Sequence, residues 1–204
     1  MPPARSHARK APDERKRQLV ESAIEVLAEG GLAAFTVERI ARHAGISKGL
    51  ITHYFEGKED LLAHAYEAMV SDFDLLAETY FERIDARPRP ALEAYIEAYF
   101  RRPAFEQERL RAWLAVWEAT AGNSRLTEIH RRRHQTFQVH LTRLIAAAAE
   151  ESNRELDAAA TALMLDTMLT GLWIEWCLNG KTFPADTAIS TAKAFLARSL
   201  GELD

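Results

Sequence analysis

A single cysteine, Cys177, stands among the 204 residues. No internal disulfide can form, and there is too little sulfur for a structural zinc site. That usage fits a reducing, cytoplasmic setting. Glycine and proline are sparse, at 9 and 7 residues, which excludes collagen-like and low-complexity chains. No run approaches the roughly 20 apolar residues that cross a bilayer. The opening MPPARSHARKAPDERKRQ has no apolar centre, so neither a membrane span nor a secretion signal is expected. Also missing are an HExxH motif, a Glu-x-x-His pair and a phosphate-binding loop, so no catalytic residue, metal site or cofactor is expected. His130 and His134 stand four apart in His-Arg-Arg-Arg-His and read as a solvated basic stretch. What is present is an ordinary globular composition, 48% apolar and 27% charged, long enough for one or two domains with a substantial core.

The net charge of −4 hides an asymmetry. Residues 1–55 hold nine Lys/Arg against six acids, and the remainder holds 17 against 24. A basic quarter on an acidic body suits a polyanion-binding module joined to something else, although a solvated surface produces the same imbalance.

Nearly every segment has helical periodicity and none alternates like a strand, which predicts an all-α fold of about nine helices. The first runs from Asp13 to Gly30, with Leu19, Ala23, Val26 and Leu27 on one face and a stop at Gly30-Gly31. Two short helices follow, Val37 to His43 and Lys48 to Tyr54. A long fourth begins near Lys58 and carries Leu62, Ala65, Met69, Phe73, Leu76, Tyr80 and Ile84 up to the Pro88/Pro90 break. Five more fill the remainder, the eighth spanning about Glu155 to Leu178 and the ninth starting after Pro184 and reaching Leu203. No internal repeat is visible, which argues against a solenoid. The expected division is a basic tail over 1–12, a small basic unit over 13–57 and a helical body over 58–204.

The informative stretch runs from Phe35 to Phe55 and contains TVERIARHAGISKGLITHYF. Thr36 is a good N-cap, with Phe35 and Ile40 placed as a hydrophobic staple, and Ser47 repeats the arrangement with Ile46 and Ile51. Ala41 is small where a second helix must cross closely. Gly45 sits where a tight turn between helices needs a positive φ. That is a helix-turn-helix. Its second helix projects Lys48, Thr52 and His53 away from the core face, Gly49 leaves the backbone uncovered, and Ser47 with the helix N-terminus offers donors to phosphate.

With the GKEDLL that opens helix four, this stretch closely resembles the TetR family of transcriptional regulators. The resemblance implies a homodimer with a three-helix head and a six-helix ligand-binding and dimerising body. It implies DNA contacts from Thr36, Ser47, Lys48, Gly49, Thr52, His53 and Tyr54, with a phosphate contact from Lys58. Tyr54 and Phe55 double as core residues that lock the recognition helix. Arg5, Arg9 and Lys10 resemble an arm that adds backbone or minor-groove contacts, and an untethered tail reads equally well.

All four tryptophans fall in the body as two pairs, Trp113/Trp117 and Trp173/Trp176, each within one helical turn. Tryptophans at this spacing often belong to a core. They also suit a quaternary ammonium, which is drawn to aromatic faces and needs no hydrogen-bond donor. Glu118 and Glu175 stand beside the pairs, and Asp166 lies two turns before Trp173 on an otherwise apolar face. AWLAVWE over 112–118 and GLWIEWCLNGK over 171–181 resemble segments of the choline-responsive repressors of glycine betaine synthesis within the same family. The expectation is a repressor that reads a pseudo-palindromic double-stranded operator and answers choline or a related quaternary ammonium. Other readings are a relative with a different small-molecule effector, a ligand-independent architectural DNA binder with no cavity, and a helical enzyme.

Overall fold

The computed structural model describes residues 12–82, 87–100 and 107–201, the side chains of 12 and 72–82 excepted. The basic tail, Ile84 and Leu203 fall outside the described residues. Among those described are nine α-helices and no strand: α1 Pro12–Ala34, α2 Val37–His43, α3 Lys48–Tyr54, α4 Lys58–Glu82, α5 Pro88–Ala98, α6 Leu110–Thr120, α7 Ser124–Glu151, α8 Ala158–Asn179 and α9 Ala185–Leu200. A 3-10 turn, Gln107–Arg109, leads into α6. No helix of the described residues is long and apolar enough to cross a membrane.

Short polar caps set several boundaries, because the first amides of a helix have no partner within it. Thr36 has extended backbone, and its hydroxyl accepts the Arg39 N–H at 3.2 Å. Asn123 accepts from Leu126 at 3.1 Å to start α7, and Asp157 from Ala160 at 3.0 Å to start α8. The glycine pair in α1 produces a kink where the sequence suggests a stop. Gly31 takes φ 63, and a last turn re-forms as far as Ala34, which buries Ala34 and Phe35. Gly45, between α2 and α3, has φ 67, as the tight turn requires.

One core runs through the molecule. Leu19, Leu27, Phe35, Ile40, Ile51 and Phe55 close the head, while Tyr95, Ile96, Ile145, Leu165, Leu169 and Trp173 close the body. The long α1 belongs to both because it packs along α6. There Arg109 pairs with Glu21 at 2.7 Å, and the Arg111 guanidinium donates to the Glu29 carbonyl. A second tie joins α4 to α7 through Asp60. Its carboxylate accepts the Glu56 N–H at 3.0 Å and a hydrogen bond from Arg125 at 2.7 Å, and these bonds hold it below the usual carboxylate range against the opposing effect of burial. The head is thus fastened to α6 directly, and to α7 through Asp60, whose carboxylate also accepts the head's Glu56 N–H. Leu163, Met164, Thr167, Met168 and Phe195 line a shallow apolar groove on α8 and α9, with Leu163 and Met164 half exposed.

Candidate nucleic-acid interface and effector cavity

In the head, Thr36, Ser47, Lys48, Gly49, Thr52, His53 and Lys58 are all exposed, and Tyr54 is half-buried. Ile40, Ala41 and Ile51 pin α2 against α3 from below, so the outer side of α3 is left for a partner. Ser47 departs from its expected role. It occupies the N-cap position of α3, yet its hydroxyl makes no cap bond. The Leu50 N–H already bonds the Ser47 carbonyl at 3.1 Å in a tight first turn. Lys48 pairs with Glu38 of α2, and this bond holds the Glu38 carboxyl below its ordinary value. The Thr52 hydroxyl donates to the Gly49 carbonyl at 3.0 Å. The His53 and Tyr54 rings meet edge to face at 5.2 Å, and the Lys58 ammonium lies 6.0 Å from the centre of the Phe35 ring.

A side-chain carbon at Gly49 would meet nothing within 4 Å. Gly49→Ala therefore leaves the melting temperature unchanged or raises it, since alanine is the better helix former by about 1 kcal/mol. If α3 lies against base edges, the added methyl holds the backbone off and weakens operator binding about tenfold, the effect of overpacking a close contact. Thermal melts with fluorescence anisotropy on operator DNA check both halves, and unchanged DNA affinity rules out close approach at this position.

In the body, α4 to α8 surround a cavity of about 140 Å³. Tyr66, Tyr99, Trp113, Trp117 and Phe137 form its aromatic wall, and Asp166, His130, Arg133, His134 and Thr170 its polar side. The Trp113 and Trp117 rings are 5.8 Å apart at 44°, and Tyr66 stands edge-on to Trp113 at 6.4 Å. Asp166 accepts from Gln138 Nε2 at 2.9 Å, and His134 Nδ1 lies 3.8 Å from the same carboxylate oxygen. Burial pushes the Asp166 carboxyl up, with His134, Gln138 and His130 opposing the shift. The His130 imidazole is pushed down, first by burial and then by His134. Its Nδ1 hydrogen-bonds the Tyr66 hydroxyl at 2.7 Å. Burial raises the Tyr66 phenol to about 12 and the Tyr99 phenol further, so both stay neutral near pH 7.

Of the body residues singled out in the sequence, Trp113, Trp117 and Asp166 come together here. Trp173 is fully buried one layer back, edge-on to Trp117 at 6.3 Å. Trp176 turns away to meet Phe100 at 6.1 Å, and its carbonyl accepts from Gln107. Glu118 is exposed, and Glu175 is exposed and accepts from Asn179 at 2.8 Å. The reason is helical geometry: one residue turns the side chain about 100°, so a carboxylate adjacent to a tryptophan in sequence faces elsewhere. Tyr66, Tyr99, Phe137, His130 and His134 were not anticipated as lining. His130, His134 and Phe137 recur at i, i+4 and i+7, a signal the basic residues between them obscure.

Residues 19–65 match the family described as bacterial regulatory proteins, tetR family, and residues 88–201 match the BetI-type transcriptional repressor C-terminal domain. The chain belongs to the TetR family. Its body is BetI-type. The regulator BetI 2 of Chromohalobacter salexigens is 33% identical over 191 residues, covering 91% of this chain and 88% of its own. BetI of Escherichia coli is 29% identical over 193 residues, covering 91% and 94%. Among solved structures, a transcriptional regulator of Pseudomonas aeruginosa PAO1 superimposes with TM-score 0.85 at 30% identity, covering 93% of this chain and 92% of that one. A regulator of Saccharomonospora viridis, solved in complex with choline, shares the fold at TM-score 0.82 and 20% identity, covering 92% and 98%. This TetR-family chain is a DNA-binding transcriptional repressor of BetI type and not an enzyme.

Proposed function

We propose that this BetI-type repressor works as a homodimer and releases its operator when choline or a related quaternary ammonium enters the cavity. In this reading it controls genes of glycine betaine synthesis or uptake and acts in the cytoplasm. The observation that carries the effector is the aromatic wall closed on one side by the buried carboxylate of Asp166. A permanent cation with no N–H is attracted to ring faces, and more strongly so where water is excluded. The carboxylate balances its charge. The choline bound by the Saccharomonospora viridis protein supports the same class. Trp113 and Trp117 would take the cationic head, with Tyr66, Tyr99 and Phe137 closing around it.

The apolar α8/α9 groove supplies the self-complementary surface of a dimer. Two α3 helices about 34 Å apart then enter successive major grooves, each through Ser47, Lys48, Gly49, Thr52 and His53, while Thr36, Tyr54 and Lys58 hold phosphates. Effector in the cavity bears on α6 and α7, which hold the head through Arg111–Glu29 and Arg125–Asp60. A coupling of roughly 1–3 kcal/mol would weaken operator binding about 5–150-fold. Isothermal titration with choline chloride, betaine aldehyde and glycine betaine tests the effector. Choline is expected to bind saturably, and Trp117→Ala to weaken it about thirtyfold, the loss of a desolvated cation–π contact of about 2 kcal/mol. No heat with any of the three overturns the effector and leaves the repressor assignment standing.

A further inference from the structure

We infer that the His134 imidazole is a proton-operated competitor for the carboxylate that receives the effector's cation, so that acidification expels the effector and restores repression. This rests on the reading that a quaternary ammonium enters the cavity. Among the described lining residues Asp166 is the one carboxylate, so His134 and the cation share it. Asp166 is largely buried, and its carboxylate is shared with Gln138 at 2.9 Å and His134 at 3.8 Å. With His134 neutral, the carboxylate faces the aromatic wall and is available to an incoming cation. A protonated His134 at that distance takes the carboxylate, and the cation then meets a like charge beside it.

The other groups around the pair do not share this response. From α4 and α5, Tyr66, Tyr95 and Tyr99 are phenols that burial keeps neutral. The described lining contributed by α6, Trp113 and Trp117, is uncharged. From α7, Arg133 is a fixed cation with a guanidinium nitrogen 3.1 Å from the Ser71 hydroxyl. His130 completes the set. Its ring stacks on His134 at 6.1 Å and 5°, and burial followed by His134 pushes its own imidazole down. His134 is the one in contact with Asp166, and it lies at the exposed rim, where a proton reaches it from solvent. Histidine is the side-chain type whose charge ordinarily changes between pH 5 and 8, and His130 and His134 are the histidines of the described lining.

Choline is the right probe because its charge does not titrate. The test is isothermal titration with choline chloride at pH 8.0, 7.0, 6.0 and 5.5, on the wild type, His134→Gln and His130→Gln. In the wild type the Kd is expected to rise about tenfold from pH 8.0 to 5.5, the effect of one imidazole that must be neutral for binding. In His134→Gln the Kd should stay flat within about twofold and match the wild-type value at pH 8.0, with circular dichroism showing the variant folded throughout. His130→Gln should keep most of the pH dependence. A flat wild-type profile, or full dependence surviving in His134→Gln, overturns the inference while leaving the cation reading intact. Absence of choline binding at every pH overturns both.

Discussion

Trp173→Ala is expected to destabilise the protein by about 3–5 kcal/mol, the cost of removing a buried tryptophan from a core that only partly collapses. For a chain of this size that lowers the melting temperature by about 10 °C. Trp173 has no exposed surface and packs edge-on behind Trp117, so its deletion opens a void beneath the cavity wall. Trp117→Ala, at a partly buried position facing the cavity itself, should cost less stability while removing the proposed ligand contact. The two tryptophans thus part company by assay. Thermal unfolding followed at 222 nm separates them, and a Trp173→Ala melting temperature within about 3 °C of wild type would show that Trp173 is not part of the core.

If the repressor is the proposed homodimer, Leu163→Glu with Met164→Glu is expected to yield a monomer and to weaken operator binding about a hundredfold or more. In the proposed dimer, two carboxylates set into the α8/α9 groove would face their own copies across the two-fold axis and place like charges where apolar surface would otherwise be buried. A monomer presents one head to one half-site and loses the high local concentration that tethering gives the second head. Both side chains are already half exposed in the single chain, so the fold itself should survive. Light scattering reports the mass and anisotropy the DNA affinity. A variant that remains dimeric, or a monomer with undiminished operator affinity, removes this groove from the proposed mechanism.

The head was legible almost to the residue because its boundaries are set locally. Thr36 caps α2, Gly45 turns the chain, and Phe35, Ile40 and Ile51 are apolar where the hairpin closes on itself. Each signal lies within a few residues of the feature it sets. The cavity was legible only in part because it is made by convergence. Tyr66, Tyr99, Trp117, Phe137 and Asp166 come from four helices and the end of α5, spread over a hundred residues, and no spacing announces that they meet. Periodicity placed Trp113 and Trp117 on one face, but it could not tell the wall from the layer behind it, where Trp173 sits. Neighbouring positions in sequence misled most, since Glu118 and Glu175 lie next to tryptophans along the chain and point elsewhere in space.

The pairing of Lys48 with Glu38 bears on how the protein searches a genome. If Lys48 contacts DNA as proposed, Glu38 holds the place of a phosphate while no DNA is present, and the lysine would come to a duplex already paired. Landing on random sequence must exchange one anion for another and releases fewer counter-ions than the basic count of the head suggests. Loose binding would thereby be discouraged at every site, whereas a cognate site would regain the difference through base contacts that random sequence lacks. On that reading, an acidic residue beside the recognition helix would shorten the time spent on the wrong sequence.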